Sequence, residues 1–268
     1  ARACGGFPTS PCPMRWRACC WWKRYTGHFQ LPSGIRITES EQKPMNTPIS
    51  PQQCGLPHAV WLASRSPRRL ELLQTLGLNV TVFLAQNSPE AEALEAPFEQ
   101  EDPLVYVQRV TQLKLNAALN AMREKSTEQG LSGLVLAADT TVALNGNILG
   151  KPQNAAEAFQ MLHSLSGTTH QVHTAVAGAW LDEKGTTQAI RSIVQTSQVE
   201  FATLPETFIQ AYIASGEPFD KAGAYGIQGI AGQYVRHISG SHSGIMGLPL
   251  FETSELMRLI QTAAQSSH

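Results

Sequence analysis

The chain has 268 residues, of which 42% are hydrophobic and 15% charged, so it can form one large domain or two small ones of an ordinary globular protein. No apolar run approaches the roughly 18–20 residues that a membrane-spanning helix needs, and we expect no membrane partner. Residues 1–44 hold seven Lys and Arg against two Glu, so residues 45–268 carry the remaining 13 basic and 19 acidic residues, a balance that argues against general nucleic-acid binding.

The first 44 residues differ in composition from the rest. The stretch "CPMRWRACCWWKRYTGHF" contains Arg and few acids, as transit peptides do, but it lacks an amphipathic stripe. We expect residues 1–55 to be an unstructured leader or extension, with Met45 as the natural start, and residues 56–268 to form a single domain. A folded part without disulfides fits a reducing, cytoplasmic compartment. All five cysteines precede the first predicted strand: Cys4, Cys12, Cys19, Cys20 and Cys54.

The first predicted unit is a buried strand, "AVWLAS", followed by a helix. Ser66 suits the N-cap and Pro67 the first helical position, because proline lacks an N–H that would go unused there. Arg68 and Arg69 therefore fall in the first turn, where the helix dipole is positive and a cation costs about 0.3–1 kcal/mol. A bound phosphate would reverse that sign. The alternative is a pair of solvated arginines on a surface helix.

The remaining chain alternates strands and helices, which predicts a mixed α/β fold, a single domain with two lobes. Asn145-Gly146 is a strong hairpin dipeptide, and Asn154 with Glu157 three residues later forms a capping-box pattern. Further strands are predicted at 79–85, 133–139, 140–150, 169–181 and 186–204, and further helices begin near Asp102, Pro205 and Phe251.

Four segments could carry chemistry. Asp139 ends the predicted strand "GLVLAAD", a usual place for a catalytic carboxylate in α/β folds, although an Asp there can also cap a turn. Lys151 in "LGKP" could reach a phosphate or could be a solvated turn lysine. "GEPFDKAGAYGIQG" (216–229) is too rich in Tyr, Ile and Phe for a flexible linker. "SGSHSGIMGLPL" (239–250) is predicted to be a loop whose backbone N–H groups could approach an anion.

Several other site types are excluded. "GSHSG" has His242 where a nucleophile elbow needs Ser. His170 and His173 lie three apart on a predicted strand, so they face opposite sides and are unsuited to one metal. The phosphate-binding loop of kinases and the dinucleotide fingerprint are both absent from the sequence.

Five blocks occur in the order found in one family: "LASRSPRRLELL", "LAADTTVALNGNILGKP", "AFQMLHSLSGTTHQVHTAV", "YIASGEPFDKAGAYGIQG" and "GSHSGIMGLPLFET". Residues 60–260 thereby resemble the Maf-like nucleoside triphosphate pyrophosphatases. The resemblance implies an elongated mixed sheet in two lobes with flanking helices and a central cleft, as in inosine triphosphatase, often in a homodimer. It also implies hydrolysis of nucleoside triphosphates to the monophosphate and pyrophosphate with a divalent cation, Mg²⁺ or Mn²⁺.

The block "AYGIQG" is similar to the branch of the family that acts on dTTP and UTP. One alternative is the branch that hydrolyses 7-methyl-GTP, and another is a non-catalytic nucleotide-binding regulator of cell division. The family's acidic pair after the second strand is replaced here by "AQNSPEAE", so the metal candidates are Asp139 and Glu90, or Glu92.

Position by position, the resemblance implies a role for eight residues. Asp139 matches the family's proton acceptor. Arg68, Thr140 and Gln228 match positions tied to substrate choice. The phosphate and base site is matched by Ser64, Arg69, Lys151 and Lys221.

Overall fold

The structure is a computed structural model that describes residues 49–85 and 95–266, with residues 126–129 described by their backbone alone. In these ranges the helices are α1 (Pro67–Thr75), α2 (Pro103–Gln129), α3 (Ala155–Leu165), α4 (Glu206–Ala214), α5 (His242–Met246) and α6 (Leu250–Gln265). The strands are β1 (Ala59–Leu62), β2 (Asn79–Val82), β3 (Gly133–Leu144), β4 (Asn147–Leu149), β5 (Thr169–Leu181), β6 (Thr187–Phe201) and β7 (Val235–Ser239). Short 3-10 turns occupy Pro51–Cys54, Glu217–Asp220, Ala222–Ala224 and Ile230–Tyr234.

These strands form one seven-stranded mixed sheet in the order β2-β1-β3-β5-β6-β7, with β4 paired to β3. The pairs β1–β2 and β1–β3 are parallel, whereas β3–β4, β3–β5, β5–β6 and β6–β7 are antiparallel. Helix α1 connects β1 to β2, and α2 leads from β2 to β3, so both parallel pairs are reached through helical crossovers. The predicted mixed α/β fold is confirmed.

The position of Asp139 differs from the sequence-based expectation. Asp139 lies in the middle of β3 and not at the end of a strand, because β5 pairs with β3 continuously from Gly133 to Ala143. On the other edge of β3, β1 pairs only as far as Leu136, and β4 begins to pair at Val142. Between these two partners β3 is open on one edge, and Asp139 stands in that opening.

Alternate residues of β3 enter different hydrophobic clusters, as the two-residue repeat of a strand dictates. Leu134 and Leu136 pack with residues of β1, α1 and α6 on one face. Val135 and Ala137 pack with α2 on the opposite face. A third cluster joins the far ends of β3, β5 and β6 to α3, α4 and the 3-10 turns.

Local signals of turns and caps are confirmed. Ser66 is the N-cap of α1, with Pro67 in its first turn. The side chain of Asn154 accepts a hydrogen bond from the backbone N–H of Glu157 at 2.9 Å. Asn145 has a φ of 52° and the following glycine a φ of 79°, the left-handed pair that a two-residue hairpin turn requires.

The predicted loop at 239–250 is instead largely helical. Ser241 caps α5, and its hydroxyl accepts from the N–H of Gly244 at 3.0 Å. The N–H groups of Gly247 and Leu248 donate to the carbonyl of Ser243. These three amides are therefore used inside the segment, and the approach of its other backbone N–H groups to an anion stays a prediction.

The fold begins before the predicted boundary at residue 55. Arg258 of α6 donates from Nε to the carbonyl of Cys54 at 3.1 Å, and Pro51 is buried. Because this turn is anchored to α6, it belongs to the folded unit, whereas residues 1–48 lie outside the described part. Within the described ranges, no helix combines the length and apolar character that crossing a bilayer requires.

Candidate active site

A cleft of about 860 Å³ lies over the open edge of β3. All eight residues that the sequence selects line it, although they come from distant parts of the chain. Glu90 and Glu92, the metal candidates of the acidic loop, lie outside the described residues. The eight are Ser64, Arg68, Arg69, Asp139, Thr140, Lys151, Lys221 and Gln228.

Arg69 ties three segments of the cleft wall together. Its Nε donates to the carbonyl of Gly247 at 2.9 Å, Nη1 donates to Ser64 Oγ at 3.1 Å, and Nη2 donates to Thr140 Oγ1 at 3.3 Å. Burial lowers the pKa of this guanidinium, and Asp139 partly opposes that effect. The cation is therefore held in one orientation beside the carboxylate, with its donors shared among the end of β1, the middle of β3 and the segment after α5.

A chain of hydroxyl groups extends this wall. Thr140 Oγ1 and Thr174 Oγ1 are 2.9 Å apart and share a hydrogen bond, and Thr174 donates to the carbonyl of Gly244 at 2.8 Å. Thr174 is fully buried on β5. The orientation of Thr140 is thus fixed by partners on both sides.

Two charged residues that the sequence reasoning missed contact Asp139 or its partner. Lys114 of α2 places Nζ 2.6 Å from Asp139 Oδ1 and 3.1 Å from Glu95 Oε2. A signal for Lys114 was present in the sequence. It lies four residues after Val110 and four before Ala118, both buried, so a lysine occupies the apolar stripe of the helix.

The two carboxylates also affect a neighbouring phenol. Burial raises the pKa of Tyr106 to about 12, and the negative charges of Asp139 and Glu95 contribute to the rise. Tyr106 therefore remains neutral at physiological pH and adds no charge near the acidic pair.

The carboxylate oxygens near Asp139 suit a metal cation that is also bound by the substrate. The carboxylates of Asp139 and Glu95 converge on one position, where the ammonium of Lys114 stands. No group of three or more His, Cys, Asp or Glu residues that could hold a metal occurs in the described part of the chain. Mg²⁺ is commonly bound by one or two carboxylates together with substrate phosphates, and this pair fits that arrangement.

The opposite wall carries a second charged group. Asp220 accepts from Arg68 Nη1 at 3.3 Å and from Lys221 Nζ at 2.6 Å. Burial acts to raise the pKa of Asp220, but the two cations outweigh it and the pKa lies below its ordinary value. Lys151 and Gln228 are exposed and line the same cleft. Cationic donors therefore line the cleft near both Asp139 and Asp220.

The two histidines of β5 stand apart from the cleft lining. His170 Nε2 lies 2.7 Å from the hydroxyl of Tyr225, and His173 Nδ1 lies 2.9 Å from Thr196 Oγ1. Burial lowers the pKa of His170 to about 4 and also lowers that of His173. Both act as neutral packing residues, consistent with their predicted positions on opposite faces.

Comparison with known proteins gives one consistent family. The family described as Maf-like protein matches residues 59–260. A dTTP/UTP pyrophosphatase of Ralstonia nicotianae is 50% identical over 210 residues, which cover 78% of this chain and 97% of the relative. The dTTP/UTP pyrophosphatase of Polaromonas sp. is 50% identical over 202 residues, with coverage of 74% and 94%. That of Albidiferax ferrireducens is 48% identical over 199 residues, with coverage of 74% and 95%.

Proposed function

This chain belongs to the Maf-like family, and from that premise we propose that it is a nucleoside triphosphate pyrophosphatase that hydrolyses dTTP and UTP to the monophosphate and pyrophosphate. The observation that carries the proposal is the set of cationic side chains that line one cleft together with Asp139. A triphosphate is the anion that such a set would bind. The names of the relatives support the choice of pyrimidine nucleotides.

Asp139 is the proposed general base. The oxygen of a water bonds to the α-phosphorus, the bond from that phosphorus to the bridging oxygen breaks, and pyrophosphate leaves with the electron pair. The proton of the water passes to Asp139. Lys114 holds one carboxylate oxygen, Oδ1, at 2.6 Å, which leaves the other to orient the water.

The remaining contribution is stabilisation of negative charge. Phosphoryl transfer depends mainly on positioning and on electrostatic stabilisation of the phosphate oxygens. Arg68, Arg69, Lys151 and Lys221 would supply donors to the triphosphate. A Mg²⁺ or Mn²⁺ would neutralise a further part of its charge, and Asp139 and Glu95 are the described residues that would hold it.

The same premise extends to the architecture. We propose that the residues after the leader form a single Maf-like domain in two lobes, an elongated sheet with the cleft between them. The separate hydrophobic clusters at the two ends of β3 and β5 support this division. The homodimer that the family resemblance implies stays a prediction, which light scattering in solution would test.

Gln228 is the proposed reader of the base. Uracil and thymine present an acceptor, O4, beside a donor, N3–H, and a glutamine amide offers one donor and one acceptor to match them. Guanine presents two adjacent donors, which a carboxylate would satisfy better. Once the base covers Gln228, an unmatched polar pair would cost about 1–3 kcal/mol, which corresponds to a discrimination of about fivefold or more.

The test is the rate of pyrophosphate release from dTTP, UTP, CTP, GTP and 7-methyl-GTP at equal concentration, before and after Gln228→Glu. We expect dTTP and UTP to be hydrolysed fastest and the variant to lose this preference. Faster turnover of 7-methyl-GTP by the unmodified protein would overturn the substrate but not the reaction. Nucleotide binding without any turnover would favour the non-catalytic regulator.

A further inference from the structure

We propose that Tyr212, a buried residue of α4 outside the cleft lining, is a positioning residue that sets base specificity through the turn that carries Gln228. The proposal rests on the proposed function, in which Gln228 reads the base. The chemistry of the base shows why the turn must be fixed. Cytosine presents a donor, N4–H, beside an acceptor, N3, which is the reverse of the thymine pattern. A glutamine amide that could reverse its orientation would match either base, so discrimination requires a fixed amide.

The hydroxyl of Tyr212 joins two parts of this turn. It donates to Glu217 Oε1 at 3.0 Å and accepts from the backbone N–H of Gly226 at 3.2 Å. Its ring stacks on Phe208, with 5.5 Å between the ring centroids and an interplanar angle of 11°. Burial raises the pKa of Tyr212, so the phenol keeps the proton that it donates. The hydroxyl is therefore a fixed, fully used bridge.

Gly226, whose N–H donates to this hydroxyl, packs against two cleft residues, Lys221 and Gln228. A Cβ built on Gly226 would lie 2.8 Å from Cε of Lys221 and 3.6 Å from Oε1 of Gln228. The Lys221 stem and the Gln228 amide oxygen therefore lie close against the bare backbone of this glycine. A shift of Gly226 would move the surface on which the amide rests.

Glu217, the second partner of Tyr212, holds the other end of the turn. Its Oε1 lies 1.9 Å from the place where a Cβ on Gly229 would stand, so the carboxylate occupies the space that this glycine leaves. The N–H of Gly229 donates to the carbonyl of Gly226 at 3.1 Å and closes the turn around Gln228. The carbonyl of Glu217 also accepts from Lys221 Nζ at 2.6 Å. Tyr212 thus fixes Gly226 directly and Gly229 through Glu217.

Of the residues in the proposed chemistry, the network contacts Lys221 but not Asp139 or Lys114. Asp139 and Lys114 stand on β3 and α2, whereas Tyr212, Glu217 and Gly226 belong to α4 and the turns that follow it. Loss of the Tyr212 hydroxyl would leave the buried N–H of Gly226 without its acceptor and would free the turn to shift. We expect discrimination between bases to fall while the turnover of the preferred nucleotide remains.

The experiment compares Tyr212→Phe with Tyr234→Phe. Each substitution removes one hydroxyl, and both rings pack against Phe208, the Tyr234 ring at 4.3 Å between centroids, so Tyr234→Phe is a matched control. The readouts are kcat and KM for dTTP and CTP and the Tm of each variant. For Tyr212→Phe we expect the ratio of kcat/KM for dTTP to that for CTP to fall about fivefold or more, as loss of a bridging hydrogen bond allows. We expect kcat for dTTP to stay within about twofold and the control to keep the wild-type ratio.

A double-mutant cycle tests whether Tyr212 acts through Gln228. In a Gln228→Ala background, Tyr212→Phe should leave the dTTP-to-CTP ratio nearly unchanged. An unchanged ratio in Tyr212→Phe, beside a changed ratio in Gln228→Glu, would overturn this proposal and leave the proposed function standing. A fall in kcat and Tm at constant ratio would show a merely structural role and would also overturn it. A wild-type protein that prefers other triphosphates would instead overturn the pyrimidine assignment. In that case the ratio of kcat/KM between its two best substrates, compared in wild type and Tyr212→Phe, would still decide the role of Tyr212.

Discussion

The carboxylate of Asp139 is bound on one side by a cation and open on the other. Lys114 contacts Oδ1, and the half-buried Arg69 stands nearby, with three of its five N–H donors used by Ser64, Thr140 and a backbone carbonyl. The ionised carboxylate is the form that can take a proton from water. The arrangement therefore supports the proposed role of Asp139 as the general base.

Replacement of Asp139 by Asn tests this role. The amide keeps the size of the side chain but cannot accept the proton of the water, so we expect turnover to be abolished while nucleotide binding remains measurable. Pyrophosphate release gives the first quantity and calorimetric titration the second. Near-normal turnover by the Asn variant would remove Asp139 from the mechanism.

Residue by residue, the sequence is most informative where a motif is local. The motif residues Arg68, Arg69 and Lys151 all line the cleft. Lys114 was missed because a lysine on a helix is ordinarily solvated, and only the burial of its neighbours one turn away distinguishes it. Glu95 lies in an acidic stretch of sequence without periodicity, and its contact with Lys114 depends on how α2 packs against the sheet.

At the scale of elements, the start of α2 is fixed by a single arginine. Arg109 binds both oxygens of Glu101 at 2.7 Å, donates to the carbonyl of Ala96 at 2.9 Å and stacks over the ring of Phe98 at 4.0 Å. The hydrogen bond from Arg109 lowers the pKa of Glu101. The segment before α2, which places Glu95 against Lys114, is thereby attached to α2.

We expect Arg109→Ala to weaken metal activation. Release of this segment would leave Glu95 unsupported, and loss of a residue that orients a metal ligand typically costs about tenfold or more in metal affinity. The metal concentration that gives half-maximal activity measures this effect. Arg236→Ala is the control, because Arg236 is an exposed arginine of β7 that pairs with Glu200, and neither residue lines the cleft. Equal metal dependence in both variants would contradict the prediction.

Elements whose boundaries are set by neighbouring residues are predicted well, and those set by distant pairing are not. The hairpin at Asn145 and the cap at Asn154 follow from local backbone chemistry. The continuation of β3 past Asp139 depends on pairing with β5, where Asp139 lies opposite Ala175. That partner is remote in sequence, so no local pattern marks the strand as continuous.

Charge is unevenly distributed over the whole molecule. Residues 45–268 contain 13 basic and 19 acidic residues. Within the part of the chain that the structure describes, six basic residues line the cleft together with three acidic ones, Glu95, Asp139 and Asp220. The net charge of the cleft is therefore opposite in sign to that of the chain around it. The six basic residues are Arg65, Arg68, Arg69, Lys114, Lys151 and Lys221.

This separation of charge predicts that kcat/KM for dTTP falls as salt rises. A basic cleft in an acidic protein attracts a triphosphate over a distance, and that attraction weakens as the Debye length shortens from about 10 Å at 0.1 M to about 3 Å at 1 M ionic strength. The value of kcat at saturating dTTP should change less, because the bound triphosphate contacts its cations directly. Initial rates across this range, with metal in constant excess, measure both quantities.

Arg65→Gln should reduce the salt dependence of kcat/KM, since Arg65 is an exposed cation of the cleft wall. Lys184→Gln, in the turn between β5 and β6, should not reduce it. Equal salt dependence in the two variants would show that the net charge of the protein, and not the placement of its cations, governs capture of the nucleotide.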